Sequence, residues 1–209
     1  MKKTILYLLI LTAALSCVAQ KANNMKTTEK FDYEYYKSKL TRPGQTTCIY
    51  YEKNGDLVKV DFDKDYYGLI IIKPYSYTQI YKVYHLNRML QEEGKWFYCS
   101  SVNIGIWREY DEEGNLIKET DEDKKFKDLK VKPHVLLDWF EKQGWIDRAT
   151  GKGQQEDSGA PFSISFAPHD KKFPARWLVI QKTMPGTEDF LINAETGEII
   201  SHEIILEEE

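Results

Sequence analysis

The chain has 209 residues, 42% of them hydrophobic and 30% charged, with a formal net charge of −4. That balance is globular rather than disordered, and a mildly acidic surface lacks the Lys/Arg stripe that nucleic-acid binding needs. The three cysteines form no CxxC and no Cys/His cluster, which argues against a structural zinc module.

Residues 1–19 read as an export signal. Lys2 and Lys3 form a positive start, and Ile5 to Leu15 an apolar run. The run suits a secretory leader and falls short of the ~20 residues a membrane-spanning helix needs. Cleavage before Cys17 makes "ALSC" a lipobox and leaves Cys17 to carry lipid, although Ala14 stands where such boxes prefer Leu. Cleavage after Ala19 instead releases a soluble chain from Gln20. Residues 20–30, "QKANNMKTTEK", read as the polar tether that a lipid-anchored globule needs. The expected address is the periplasm or outer membrane through a lipid, with a soluble periplasmic or secreted protein as the alternative. Removing Lys2 and Lys3 takes the charge from −4 by two, to −6.

The segment "EKFDYEYYKSKL" carries both a strand period (Phe31, Tyr33, Tyr35) and a helical one (Phe31, Tyr35, Lys39), and the helix is preferred. Next come two matching stretches, "YEKNGDLVK" (Tyr51–Lys59) and "YDEEGNLIK" (Tyr110–Lys118). Each reads as strand, tight turn, strand, with Gly55 or Gly114 supplying a positive φ. Neither has the alternating ligands of a calcium loop. A degenerate third copy, "YHLNRMLQEEGKW", places Tyr84, Asn87, Leu90, Gly94 and Trp96 in a similar cadence. Between the copies, "GLIIIK" (Gly68–Lys73) suits a strand covered on both faces, and "TQIYKVYHL" alternates as a strand with one core face. Cys48 and Cys99 lie in strand-like contexts. In an oxidising compartment they can pair, which is worth roughly 3–4 kcal/mol on the chain-entropy model, or they can remain two buried thiols. The interleaved "DEDKKFKDLKVK" that follows is a self-neutralised surface.

"GIWREYDEEGNLIKE" and "YHLNRMLQEEGKW" resemble the MORN-variant repeats of bacterial antitoxin-like proteins, over about residues 48–123. That resemblance implies a row of β-hairpins stacked into a sheet and supplies no catalytic residues. The copies are irregularly spaced, so a short curved sheet is expected instead of a long solenoid.

Further on, "PHVLLDWFEKQGW" predicts a helix, with Pro133 in the first turn, Leu136, Trp139 and Phe140 on one stripe and Gly144 as the stop. Trp145 is then expected to fold back on Phe140. "DRATGKGQQEDSGAP" reads as a flexible loop. The strands "FSISFA", "ARWLVIQK" and "DFLINAETGEIISHEII" follow, the last folded at Ala194–Gly197. A helix, an antiparallel sheet and the closing "FLINAETGEII" resemble the PepSY-type domain over about 133–205, which implies a small extracytoplasmic module that binds or inhibits proteins. The expected fold class is α+β: a β-hairpin repeat region over 31–128, then a helix packed on a small antiparallel sheet over 129–209.

Little in the sequence points to catalysis. His85, His134, His169 and His202 lie in separate elements, Ser158 lacks a strand–turn–helix context, and the paired carboxylates are local and exposed. No catalytic residue, cofactor or metal is assigned. Aromatic residues stand out instead, with 14 Tyr and 5 Trp. One reading is cross-strand packing in hairpins. The other is a recognition face, for which Tyr75, Tyr77, Tyr81, Tyr84, Trp96, Trp107 and Tyr110 are the candidates. The expected function is non-catalytic binding of a protein partner in the envelope, with a glycan or small ligand as the alternative.

Overall fold

The structure, a computed structural model, describes residues 25–156, 158–184 and 186–206. The expected export signal, Cys17 and the start of the expected tether lie outside them. The chain is mostly antiparallel sheet, with a minor helical part. A short helix α1 (Tyr33–Lys37) precedes seven strands: β1 (Thr47–Tyr51), β2 (Leu57–Phe62), β3 (Tyr67–Ile72), β4 (Thr78–Tyr84), β5 (Leu90–Phe97), β6 (Asn103–Tyr110) and β7 (Leu116–Asp121). They form one meander in chain order. After a 3₁₀ turn and helix α2 (Pro133–Lys142), strands β8 (Phe162–Ala167), β9 (Arg176–Thr183), β10 (Gly186–Asn193) and β11 (Ile199–Leu206) make a second meander.

The three repeat copies close with the same five-residue loop. Glu52 N–H donates to the Asp56 carbonyl, His85 to Met89 and Asp111 to Asn115. The fourth loop position is left-handed in each, with φ of 88° at Gly55, 73° at Arg88 and 83° at Gly114. The turn glycine of the degenerate copy is thus replaced by Arg88, and Gly94 is not a turn residue. Gly94 lies inside β5, where the Trp107 ring packs so close that an added Cβ would stand 2.3 Å from it. Arg88 accepts the backbone strain and stacks its guanidinium 4.7 Å from the Tyr33 ring centre.

One face of the large sheet is covered. Phe31, 2% exposed, stacks on Tyr36 and Tyr67 and packs with Cys48, Val58, Val60, Leu69 and Tyr84. The cover is α1, capped by the Asp32 carboxylate accepting from Tyr35 N–H, together with the segment before it. The tether expected over 20–30 is, from residue 25 onward, docked along the hairpin tips. Leu116 N–H donates to the Met25 carbonyl, Thr27 to Gly114, Leu90 to Glu29 and Phe31 to Arg88. The polar side chains read as solvated, but the backbone donors and acceptors beneath them are used in pairing.

A second core joins the two sheets. Tyr77, Phe97, Tyr98, Cys99 and Phe126 pack with Leu136, Phe140, Trp177 and Val179, the last four of them wholly buried. Helix α2 ends as its sequence suggests: Gly144 has φ 72°, Trp145 N–H reaches the Phe140 carbonyl at 3.0 Å, and the Trp145 ring lies on Phe140. Cys48 and Cys99 are free thiols in different clusters. The disulfide reading is therefore corrected, because each thiol is buried under its own layer of side chains.

Candidate functional site

Cross-strand register decides which aromatics can share a surface. Cys48, Val60, Leu69, Lys82, Glu93, Arg108 and Glu119 lie opposite one another in sequence across all seven strands. This row is apolar under the N-terminal cover and ionic beyond it. Glu29 holds Lys82 at 2.6 Å, and Glu93 and Glu119 bracket Arg108 at 3.7 and 2.9 Å. The Tyr84 hydroxyl donates to Glu29 and the Tyr110 hydroxyl to Glu93. Burial, with Glu93 second, pushes the Tyr110 phenol up to about 12, and Tyr84 is pushed up by burial and then by its bond to Glu29. Both are neutral donors that pin this face together.

The opposite face carries the row Ile49, Lys59, Ile70, Tyr81, Gly94. Tyr81 stacks on Trp96 with ring centres 4.1 Å apart and is backed by Trp107 at 5.6 Å. Trp96 is fixed by its indole N–H donating to Asn103 Oδ1 at 3.0 Å. Ile49, Lys59, Ile70, Tyr81 and Trp96, with Tyr66 and Asp61, line an open groove of about 350 Å³. Gly68 forms part of its floor, and an added Cβ there would sit 3.3 Å from the Tyr66 ring. The Tyr66 hydroxyl donates to Asp61 at 3.3 Å. Burial and then the Asp61 charge push the Tyr66 phenol up, and burial pulls the Lys59 ammonium down. The groove thus offers an aromatic platform, aliphatic walls from Ile49 and Ile70, and one group of each charge.

The seven candidate aromatics do not form one surface. Tyr81 and Trp96 are half-buried and line the groove. Tyr77, Tyr84, Trp107 and Tyr110 are buried, between 2% and 6% exposed. Tyr75 is exposed, at a strained turn with φ 60°. Tyr75 and Tyr77 bind the chain's own "DRATGKGQQ" loop: Tyr75 N–H donates to Gln154 Oε1 at 2.9 Å, and the Tyr77 hydroxyl to the carbonyls of Asp147 and Lys152 at 3.1 and 2.6 Å. The Tyr98 hydroxyl holds the Gly153 carbonyl, and the Gln154 amide those of Lys73 and Ser76. The segment expected to be a flexible loop is clamped to the large sheet. Reading sequence missed Ile49, Lys59, Asp61, Tyr66 and Ile70, although strict alternation from Tyr81 would have set Tyr84 on the other face.

Among the described residues, no group of three or more His, Cys, Asp or Glu is placed to hold a metal ion. Burial pushes the Cys99 thiol up to about 12, away from nucleophilic use. Among the described residues no helix is long and apolar enough to cross a membrane. No family model, curated protein or solved structure matches the chain.

Proposed function

We propose that this is an exported, lipid-anchored, non-catalytic binding protein of the cell envelope, and that the Tyr81–Trp96 groove is where it meets a protein partner. The observation that carries this reading is the open aromatic stack. Two large rings are held rigid by Trp107, Gly94 and Asn103 and stay half-exposed in the same groove as Ile49, which is 50% exposed. Fixed aromatic side chains bury large area at low entropic cost, which is what interface anchors need. Lys59 and Asp61 supply complementary charge within the same groove. Export and lipidation rest on the leader and Cys17. The narrower role of immunity protein or inhibitor, occluding a toxin or hydrolase, rests on the resemblance to MORN-variant and PepSY-type modules.

The test is capture of the tagged protein from cross-linked cells of its source, with Trp96→Ala and Tyr81→Ala chains in parallel. One stoichiometric protein retained by the parent chain and reduced at least tenfold with either variant supports the reading. A partner retained equally by all three removes the groove from it. Enrichment of no protein, with glycan-dependent quenching of tryptophan fluorescence lost in Trp96→Ala, replaces the protein partner with a sugar.

A further inference from the structure

Where the large sheet meets helix α2, an open cavity of about 530 Å³ shares no lining residue with the Tyr81–Trp96 groove and falls within the size range of small-molecule sites. Its apolar lining comes from Phe97 of β5, Ile104 of β6, Phe126 at the end of the 3₁₀ turn (Glu122–Phe126), and Pro133 and Leu137 of α2. The floor is prebuilt. Phe97 and Phe126 are 1% and 2% exposed, and both rings rest on Trp177, with centres 5.6 and 5.8 Å away. Trp177 is itself fixed by its indole N–H donating to the Val131 carbonyl at 2.8 Å.

The rim is cationic. Lys95, Lys127, Lys132 and His134 border the cavity against a single carboxylate, Asp123, in a chain whose net charge is −4. Asp123 is already engaged, its Oδ1 accepting from Gly105 N–H at 2.9 Å. Among the described residues, the lysines in ion pairs are Lys64, Lys82, Lys118 and Lys125, none of them at this rim. Helix α2 begins here with neither a side-chain cap nor an acidic residue in its first turn, so the helix start adds to that charge and does not offset it.

We infer that this cavity binds a single-chain fatty acid, with the acyl chain on Phe97, Phe126 and Leu137 and the carboxylate among the rim lysines. The lining selects between ligands. Thr78, the one hydroxyl among the lining residues, is shared with Ser76 Oγ at 3.1 Å, and Asp123 is held by Gly105. A sugar or a peptide would lay many polar groups against a lining with few left to receive them, at a cost for each one unpaired. An acyl chain has none to pair, and its one charge falls where lysines stand without partners. Lysine stems also extend an apolar wall while their ammonium groups stay at the water.

Isothermal titration calorimetry of decanoate into the full chain carrying Cys17→Ser tests this, with decanol and acetate as the chain and the head alone. The expected result is one decanoate per chain at sub-millimolar affinity, with decanol and acetate at least tenfold weaker. Lys95→Gln/Lys127→Gln, at two exposed positions, should weaken decanoate at least tenfold while circular dichroism stays unchanged. Raised salt should weaken decanoate and spare decanol, a readout that needs no variant. Absence of decanoate binding overturns the inference, as does decanol binding as tightly. Decanoate undiminished by the lysine variant belongs to another apolar surface, such as residues 5–15, and decanoate lost only in Trp96→Ala belongs to the aromatic groove. Either result overturns the inference.

Discussion

The two faces of the seven-stranded sheet are built from the same residue types and put them to opposite uses. On one, Tyr84 and Tyr110 turn inward and spend their hydroxyls on Glu29 and Glu93, while Phe31 and α1 close over the aliphatic row. On the other, Tyr81 and Trp96 lie against each other with no element among the described residues drawn over them. Aromatic content by itself therefore says little about recognition. What distinguishes a binding ring from a core ring is whether the chain supplies its own cover.

The sharpest way to break that comparison is a matched pair of truncations. Phe31→Ala removes the keystone of the covered face and is expected to cost about 3–4 kcal/mol, as buried Phe→Ala changes do. Trp96→Ala on the open face is expected to cost less, about 2 kcal/mol, since the ring is only half withdrawn from water. Urea titration of both variants checks this. Equal losses would make the open face a core, and the groove would fall as a site.

A smaller effect sharpens the comparison from beneath. Cys99 is 9% exposed, and burial raises its thiol to about 12 from a usual value near 8.5. The folded state holds that proton where the unfolded chain releases it. The contribution to stability is therefore complete below about pH 8.5 and lost as pH climbs toward 12. Denaturation midpoints measured from pH 7 to 10 should fall, and the fall should shrink in Cys99→Ala. Cys48, raised by burial in the other cluster, should likewise resist thiol reagents until the chain unfolds.

The smallest expected change is at the third turn. Arg88→Gly relieves a left-handed residue, worth about 1–2 kcal/mol, and gives up the stack on Tyr33, worth about 0.5–1 kcal/mol. The melting temperature should rise by no more than a few degrees. A loss of several degrees would show that Arg88 secures the N-terminal cover more tightly than its geometry indicates.

Local chemistry was legible in the sequence. The hairpin glycines Gly55 and Gly114, the Pro133 start and Gly144 stop of α2, and the Trp145 fold-back all follow from rules that span a few residues. The candidate site was legible only in part, for a physical reason. Burial of Tyr77 depends on a loop seventy-odd residues away, and burial of Tyr84 on Glu29, fifty-five residues before it. Covering partners at such separations leave no periodic trace. The role of Gly94 was illegible because the nearby pattern cannot report that Trp107, on the next strand, needs its space.

The backbone pairing of Met25 with Leu116 and Thr27 with Gly114 has a consequence for the order in which the molecule can complete itself. A ribosome or translocation channel delivers residue 25 about ninety residues before its partner. The meander can grow hairpin by hairpin in the meantime, each strand finding the one just made. Its aliphatic row stays bare until the β4–β5 hairpin arrives to hold Glu29 and Phe31, and residues 25–27 find their partners only with β7. The oldest part of the chain is thus the last to settle, and the sheet is open to a chaperone for that interval.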